Sequence, residues 1–479
     1  MTFRPLPWPL GALILSACLT FACGGSSSPA TTAPAPAPVP VPGVPVAITL
    51  QRASTGLRLE NGFAGFSYEK SKLISPLFTG SNAGLVALFK RLGPGVLRVG
   101  GNSVDKTTWD PTGPGLTSGK IAPSDVDRLA SFLKAANWQV IYAMNYATNT
   151  PAQMADEATY AANAFGAQLY GFEIGNEVDL YHSNGLRATT FTYADFLTEW
   201  RAYAAAIQAK VPGAVLTGPA SAYNTAGFTV PFAKDEATGI SLLTQHYYRA
   251  NGQLTTSTID LLLTPDTALP STLQALQKAS ATLPRGYRLA EANSFYNGGA
   301  PNVSDAYGTA LWAIDFLFTN ALNGSAGVNF HGGGNGTGYT PIADDGTHVV
   351  EARPEYYGLF VVSQAGPGSL LTTTVTANGV AISAYAVAAD SGATNLVLVN
   401  KDRTQTASVS VDLGASATSA TLTTLSGPSL DSPTGTLLNG APIAADGSWA
   451  PGSAPTQSVS GATLKLSVAP ASAVLVSLR

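Results

Sequence analysis

Charge is the first thing that this sequence has little of. Of its 479 residues, 25 are Lys or Arg and 29 are Asp or Glu, so 11% are charged and the formal net charge is -4. An average soluble domain carries about 25% charged residues. Because Lys and Arg are not in excess, no basic surface is available to neutralise phosphates, and this excludes nucleic acid as a partner. The low charge does not indicate disorder, since 45% of the residues are hydrophobic.

Cysteine and histidine are also scarce. The only two cysteines, Cys18 and Cys23, lie in an apolar segment near the N-terminus. We therefore expect no disulfide and no thiol chemistry in the rest of the chain. The four histidines show no paired spacing of the kind that metal ligands have. The sequence predicts no metal site and no cofactor.

The segment 1–23 has the pattern of an export signal. Arg4 precedes an apolar run that is too short to span a bilayer as a mature helix. Residues 15–18 (LSAC) resemble a bacterial lipobox, and residues 22–25 (ACGG) are a weaker second version. We expect an exported bacterial protein, either a lipid-anchored protein of the cell surface or a periplasmic or extracellular one.

A Pro-, Ser- and Gly-rich linker follows at 24–46. Its alternating prolines disfavour helix and favour an extended, semi-rigid polyproline spacer. Residues 47–62 are predicted to form strands that join a β-domain built mainly from the C-terminal segment.

Short apolar, β-branched or aromatic runs alternate with helix-period segments between 63 and 365. Eight such runs span 63–69, 96–100, 139–145, 168–176, 214–219, 240–247, 287–291 and 327–331. The clearest helices are predicted at 124–136, 193–210 and 306–322. Strands that alternate with helices pair in parallel, and eight units over about 300 residues favour an α/β fold of the TIM type, a (β/α)8 barrel. A doubly wound sheet is the alternative, weakened by the lack of a Gly-rich phosphate turn after the first run.

The pattern changes at 366–479. Helical periods disappear, and short Val, Leu and Thr runs are separated by Gly, Ser, Asp and Pro. This pattern predicts a β-sandwich domain.

Two of the barrel runs end in carboxylates. The fourth run ends in Asn176 and Glu177, and the seventh ends in Glu291. Catalytic groups of barrel enzymes lie at the C-terminal ends of strands, and only a closed barrel brings these two glutamates face to face. Glycoside hydrolysis needs such a pair, one to protonate the leaving oxygen and the other to attack or to activate water. Tyr247, at the end of the sixth run, is predicted to hydrogen-bond Glu291 and to hold it as the anion. Aromatic packing at the barrel rim is the alternative role for Tyr247 and for Tyr248 beside it.

These residues and their neighbours resemble a known enzyme family. The Asn-Glu pair and the later Glu resemble the clan of retaining glycosidases built on this barrel. The flanking sequences GNE, HYY, AEANSFYNGG and LRVGGNSVD are similar to glycoside hydrolase family 79, which contains β-glucuronidases and heparanase. The resemblance covers the barrel and the β-domain. It implies that Glu177 is the acid/base, that Glu291 is the nucleophile, and that Asn176 hydrogen-bonds the sugar 2-hydroxyl.

The resemblance also implies further substrate contacts. Glu69 and Asn102 match positions that hold the distal sugar hydroxyls, and Asp105 is an additional candidate nearby. Capping of a helix is the alternative role for each of these three residues.

A Gly-rich loop after the eighth run offers many backbone N–H groups, which can bind an anion without Lys or Arg. The resemblance places recognition of a uronate carboxylate here, by Tyr339 and by loop amides around Gly338. Tyr296, Asn297 and Gly298, which follow the seventh run, also favour glucuronic acid over a neutral sugar.

The sequence thus predicts a monomeric, retaining, exo-acting β-glucuronidase. Because basic side chains are few, a small or neutral-backbone glucuronide is favoured over a sulfated polysaccharide. One alternative is a retaining β-glycosidase for a neutral sugar such as xylose or glucose. Another is a surface protein that binds carbohydrate without turnover, although binding alone does not need two carboxylates.

Overall fold

The computed structural model describes residues 43–479. The predicted export signal, with Cys18 and Cys23, and the linker up to residue 42 lie outside the described residues. Within 43–479, no helix has both the length and the apolar character needed to cross a membrane.

One strand, β1 (Val44–Leu59), precedes the barrel region. The strands of the barrel region are β2 (Ala64–Glu69), β3 (Gly95–Gly100), β4 (Thr108–Trp109), β5 (Lys120–Ile121), β6 (Trp138–Met144), β7 (Leu169–Ile174), β8 (Leu216–Ser221), β9 (Leu242–Tyr248), β10 (Tyr287–Asn293), β11 (Val328–Gly332), β12 (Ile342–Asp344) and β13 (Val349–Ala352). The helices are α1 (Ala83–Arg91), α2 (Pro123–Ala136), α3 (Pro151–Phe165), α4 (Tyr193–Lys210), α5 (Val230–Asp235), α6 (Ile259–Leu263), α7 (Leu269–Ala279), α8 (Gly308–Leu322) and α9 (Pro354–Ala365). The remaining strands are β14 (Gly368–Thr376), β15 (Ile382–Ala389), β16 (Thr394–Asn400), β17 (Ala407–Asp412), β18 (Ser419–Ser426), β19 (Leu437–Leu438), β20 (Thr456–Ser458), β21 (Thr463–Val468) and β22 (Ser472–Leu478).

Eight parallel strands close into a barrel in the order β2-β3-β6-β7-β8-β9-β10-β11. Each corresponds to one predicted run, and the bounds differ by no more than two residues at either end. The barrel closes because β11 pairs with β2. The predicted (β/α)8 fold is therefore confirmed, and the doubly wound alternative is wrong.

The outer helices form where the sequence supplies both a cap and an apolar face. Helix α4 begins after Thr192, whose hydroxyl accepts the N–H of Asp195, while the Asp195 carboxylate accepts the N–H of Thr192 at 2.8 Å. This reciprocal pair satisfies donors that the first turn leaves free. Buried side chains then recur every three or four residues along the helix, at Phe196, Trp200, Tyr203 and Ile207.

The C-terminal strands form one hydrogen-bonded sheet in the order β19-β18-β22-β16-β15-β14-β1-β17-β21, with β20 paired to β18. Side chains from its two halves share one apolar core, which includes Ile48, Leu396, Val411, Leu464 and Val476. The predicted sandwich is thus a single sheet that curls over its own core. Strand β1 lies inside this sheet, antiparallel to β14 and parallel to β17.

The sheet packs against helix α8 of the barrel. The Tyr385 ring stacks on Phe318 with a centroid separation of 4.5 Å, and its hydroxyl donates to Asp315 at 3.0 Å. Lys401 forms an ion pair with the same aspartate. Barrel and sheet therefore share a polar and aromatic interface.

Candidate active site

A cleft of about 830 Å³ opens at the C-terminal ends of the barrel strands. Nine of the residues predicted from the sequence line it: Glu69, Asn102, Glu177, Tyr247, Glu291, Tyr296, Asn297, Gly298 and Tyr339. The barrel brings these residues together from the ends of six different strands: β2, β3, β7, β9, β10 and β11.

Glu177 and Glu291 face each other in this cleft. Glu177 follows β7 in a left-handed conformation (φ 52°), which is uncommon outside glycine. Its N–H donates to the carbonyl of Ala220 at 2.7 Å, so the neighbouring strand holds this turn. A carboxylate oxygen of each glutamate and a ring nitrogen of His246 all lie within 4.8 Å of one another. Carboxyl groups about 5 to 5.5 Å apart are typical of retaining glycosidases, whereas inverting enzymes separate them by about 6.5 to 9.5 Å.

Glu291 is buried and surrounded by donors. Its carboxylate accepts from Arg98 Nη1 at 2.7 Å and from the Tyr248 hydroxyl at 2.8 Å, and His331 Nδ1 lies 3.6 Å away. Burial alone would raise the pKa of Glu291. Electrostatic interactions with His331, His246 and Arg98, together with the Tyr248 hydrogen bond, outweigh it and hold this pKa well below its usual range. Glu291 is therefore an anion, as a nucleophile must be.

Glu177 has a different environment. Its carboxylate contacts one ring nitrogen of His246 at 3.1 Å, and 17% of its side chain is exposed. The other ring nitrogen of His246, Nε2, is buried and has no hydrogen-bond partner in the part of the chain that the structure describes. Glu177 thus lies at the open side of the pair, where a substrate oxygen can reach it.

Arg98 connects three of the barrel strands beneath the cleft. It extends from β3, donates to Glu173 of β7 at 2.6 Å and to Glu291 of β10 at 2.7 Å, and reaches the Asn176 side-chain oxygen at 2.9 Å. Burial alone would lower the pKa of Arg98, but the carboxylates of Glu173 and Glu291 raise it. This buried network fixes both the nucleophile candidate and the amide that precedes Glu177.

The predicted hydrogen bond from Tyr247 to Glu291 is wrong, since Tyr248 makes it. The Tyr247 hydroxyl donates to Asp266 at 2.6 Å, and its ring stacks on Phe316 of α8. Side chains alternate between the two faces of a strand. His246 and Tyr248 of β9 therefore face the carboxylates, while Tyr247 between them points towards the helix layer.

Asp105 is not brought into the cleft. It lies in a short 3-10 turn, is buried, and accepts from the Tyr181 hydroxyl at 2.5 Å and from the Ala147 N–H at 3.2 Å. Burial raises its pKa to about 6. Its contacts connect the loop after β3 to the loops after β6 and β7, so the structure gives Asp105 a bracing role instead of a place against the substrate.

Glu69 and Asn102 line one side of the cleft, and the buried Asn176 lies behind Asn102. Glu69 accepts the N–H groups of Asn102 at 3.2 Å and Ser103 at 2.7 Å, and it lies 3.8 Å from His331 Nε2. The Asn176 side chain donates to the Asn102 side-chain oxygen at 3.3 Å. Glu69 thus caps the turn that follows β3 and also faces the cleft.

The Gly-rich loop after β11 packs against the loop that follows β10. The Tyr339 N–H donates to the Gly298 carbonyl at 3.3 Å, and a Cβ at Gly338 would lie only 1.8 Å from that oxygen. The N–H groups of Gly333 and Gly334 donate to Thr340 and Asp344. The N–H groups of 335–338 have no partner among the residues that the structure describes, so they remain available to an anion.

The sequence did not predict a role in the site for four residues: Arg98, His246, Tyr248 and His331. Arg98 carries a recognisable signal, because it is a charge inside the otherwise apolar run GVLRVG. The other three residues lie at the ends of strands. Without the register of the barrel, the sequence does not show which of their side chains point into the cleft.

The prediction that no metal is bound rests on the spacing of the histidines and on the lack of cysteine outside the export signal. Within 43–479, the donor atoms of Glu177, His246 and Glu291 are close enough to hold an ion. The Arg98 guanidinium, 2.7 Å from Glu291, opposes a second cation there.

A closed (β/α)8 barrel with two opposed glutamates at the C-terminal strand ends is the arrangement that barrel glycoside hydrolases use. No protein-family model matches the chain. The chain is 28% identical over 305 residues to a beta-glucuronidase of Aspergillus niger, which covers 56% of each protein. It is 24% identical over 366 residues to a beta-glucuronidase of Neurospora crassa, which covers 64% of each. The chain therefore spans between about half and two thirds of the length of these curated relatives, and its resemblance to the β-glucuronidase family is confirmed.

Solved structures agree at the level of the fold. A 4-O-alpha-L-rhamnosyl-beta-D-glucuronidase from Fusarium oxysporum superimposes with a TM-score of 0.75 at 17% identity, over 90% of this chain and 100% of that one. A GH51 arabinofuranosidase from Xanthomonas axonopodis pv. citri gives a TM-score of 0.64 at 18% identity, over 91% of this chain and 100% of that one. Both likenesses confirm the barrel with its additional β-domain.

Proposed function

We propose that this chain is a retaining, exo-acting β-glucuronidase that removes β-linked glucuronic acid from glycans or small glucuronides. The observation that carries the proposal is the approach of Glu177 and Glu291 to within 4.8 Å, with Glu291 held as an anion by Arg98 and Tyr248. The names of the curated relatives support the choice of sugar.

The reaction proceeds by two displacements. In the first, a Glu291 carboxylate oxygen attacks the anomeric carbon, the bond from that carbon to the leaving oxygen breaks, and the Glu177 proton passes to the leaving oxygen. In the second, Glu177 takes a proton from water, the water oxygen bonds to the anomeric carbon, and the bond to Glu291 breaks. Glucuronic acid leaves with the configuration of the substrate.

The surrounding side chains favour the transition state. Asn176 is positioned by Arg98 and Asn102, and it would hydrogen-bond the sugar 2-hydroxyl, a contact that strengthens as the ring becomes oxocarbenium-like. Arg98 neutralises part of the charge on Glu291 without occupying the oxygen that faces Tyr248.

Recognition of the uronate carboxylate is assigned to the loop face of the cleft. Tyr296, Gly298 and Tyr339 line it, and the free N–H groups of 335–338 belong to the same loop. No lysine or arginine lines the cleft in the described part of the chain. Backbone amides and phenols would therefore bind the carboxylate, as the loop's unpaired N–H groups allow.

The test is hydrolysis of p-nitrophenyl β-glucuronide, β-glucoside, β-xyloside and β-galactoside by purified protein, with the anomer of the product followed by NMR. We expect turnover of the glucuronide with retention. Glu291→Gln should lose about 10⁴-fold or more in kcat, and Glu177→Gln about 10²- to 10⁴-fold. Product of inverted configuration would overturn the two-step route.

The panel also decides between the alternatives. Turnover of a neutral sugar, lost in both variants, would keep the carboxylate pair and discard the uronate assignment. No hydrolysis of any of the four sugars, with binding of sugar retained, would favour the hypothesis of a carbohydrate-binding protein without turnover.

We also propose that segment 1–23 directs export of a monomeric mature protein and that Cys18 or Cys23 receives a lipid. Metabolic lipid labelling in a bacterial host, with Cys18→Ser and Cys23→Ser, tests this. Loss of label in one variant would identify the cysteine, and no label in any form would indicate plain secretion.

A further inference from the structure

We propose that Tyr223 is the platform of a leaving-group subsite that binds an uncharged ring, either a neutral pyranose or an aryl group. The inference rests on the proposed function, because it needs Glu177 to protonate a leaving oxygen. It extends that function by naming the group to which the glucuronic acid is attached.

The first observation is the exposure of Tyr223. It follows β8 and is 73% exposed, the highest value for any large hydrophobic side chain among residues 43–479. It nevertheless lines the same cleft as Glu177 and Glu291. An isolated exposed aromatic carries no meaning, but one at the mouth of a cleft with two opposed carboxylates is placed to touch what enters.

The second observation is that Tyr223 lies on the same side of the cleft as Glu177. Glu69, Asn102 and Tyr339, assigned to the sugar that is cleaved off, extend from the ends of β2, β3 and β11. Tyr223 and Leu180 extend instead from loops after β8 and β7. The acid/base candidate Glu177 also follows β7, so the leaving oxygen and whatever it carries lie on the Tyr223 side.

The third observation is that the backbone of this exposed loop is fixed. Asp179, which is 6% exposed, accepts the N–H groups of Ala222 at 2.7 Å, Tyr223 at 3.3 Å and Asn224 at 3.1 Å. A buried carboxylate that accepts three N–H groups holds the loop in one conformation. Because Asp179 is two residues after Glu177, the acid/base and the aromatic ring are held by the same short segment. A preorganised ring loses little entropy when it stacks on a ligand.

The side chains that line the cleft near Tyr223 determine which kind of ring can bind there. Leu180 and Ala222 are apolar, and Asn184, Thr225 and Thr272 are polar but neutral. A neutral pyranose presents an apolar C–H face for Tyr223 and hydroxyls for these side chains, and an aryl group presents a π face. None of these side chains is a cation that could bind a sulfated or uronic ring.

The experiment compares kcat/KM for three substrates that differ only in the leaving group: β-glucuronosyl fluoride, p-nitrophenyl β-glucuronide, and a disaccharide with glucuronic acid β-linked to a neutral hexose. The variants are Tyr223→Ala and Tyr223→Phe. Leu116→Ala, at a 51% exposed site that does not line the cleft, is the matched surface control.

We expect Tyr223→Ala to lower the ratio of kcat/KM for the ring substrates to kcat/KM for the fluoride by about ten-fold. Tyr223→Phe should restore most of that ratio, because it keeps the ring. A loss confined to the disaccharide assigns the subsite to a sugar, and a loss confined to the nitrophenyl substrate assigns it to an aryl group.

Two results would overturn the inference. One is an unchanged kcat/KM for all three substrates in Tyr223→Ala, and the other is an equal loss of kcat/KM on all three, which is what a purely structural role produces. If the unmodified protein hydrolyses none of the three glucuronides, the proposed function itself fails, and this outcome is distinct from both.

Discussion

Neighbouring residues on β9 have opposite environments, and the chemistry of the site depends on that difference. His246 and Tyr248 contact Glu177 and Glu291, whereas Tyr247 between them donates to Asp266. The two tyrosines are adjacent in sequence and chemically identical. They therefore provide a matched pair for testing what a phenol does for the nucleophile.

Tyr248→Phe removes a hydrogen bond that lowers the pKa of Glu291. Because the folded-state pKa then rises, the acidic limb of the pH profile of kcat/KM should move to higher pH, and kcat/KM should fall about 10- to 100-fold at neutral pH. Tyr247→Phe loses only its bond to Asp266 and should leave the acidic limb in place. Equal shifts in the two variants would contradict the assignment of facing.

Glu355 on α9 provides a second prediction at this scale, concerning stability. It is 1% exposed, its Oε2 accepts from Asn293 at 3.1 Å, and its Oε1 has no partner among the described residues. Burial raises its pKa from 4.5 to about 8, although Asn293 and the nearby Arg353 act in the opposite direction. Glu355 is therefore a neutral acid in the folded protein below pH 8.

The folded state of Glu355 holds a proton that the unfolded chain releases above about pH 4.5. The free energy of unfolding should therefore fall as the pH rises from 4.5 to 8, by up to about 1.4 kcal/mol per pH unit from this residue. Glu355→Gln keeps the shape without the titration and should show a flatter dependence. Urea unfolding at pH 5, 6, 7 and 8 checks this, and parallel curves for the two proteins would refute it.

At the scale of elements, the positions of the barrel strands were predictable from the sequence. The direction in which each side chain points from its strand was not. The apolar runs give the eight strands, and the position of Glu177 and Glu291 at run ends identifies them without coordinates. Arg98 could not be assigned, because its three partners come from strands that only barrel closure brings together. Tyr247 and Tyr248 could not be distinguished, because a register shift between Leu289 and Glu291 decides which residue of β9 lies opposite the carboxylate.

The Gly-rich loop after β11 supports a prediction about an element. A methyl group at Gly338 would lie 1.8 Å from the Gly298 carbonyl, so Gly338→Ala must separate the loops that follow β10 and β11. We expect KM for a β-glucuronide to rise about ten-fold or more, because the proposed uronate contacts come from both loops. Gly336→Ala is the matched control, since a methyl group there meets nothing within 4 Å. Similar KM values for the two variants would contradict this role of the contact.

At the scale of the whole molecule, the barrel and the curled sheet should unfold together. Tyr385 stacks on Phe318 and donates to Asp315, so it joins the sheet to α8. Tyr385→Ala should cost about 3 kcal/mol and lower the temperature at which activity and far-UV circular dichroism are lost, by the same amount for both signals. Tyr385→Phe, which keeps the stack, should cost about 1 kcal/mol.

Separate transitions for the two signals would show that the interface is too weak to couple barrel and sheet. Coincident transitions in every variant would show one cooperative unit. The interface combines this aromatic stack with one ion pair, between Lys401 and Asp315.

The position of β1 has a consequence for biosynthesis. Its partners β14 and β17 follow roughly 300 or more residues later in the chain. At about 5 to 20 residues per second, a ribosome needs about 15 to 60 seconds to deliver them. Throughout that interval β1 has neither of its two neighbours in the sheet. Strand β1 can therefore enter its sheet only after the whole barrel between it and β14 has been synthesised.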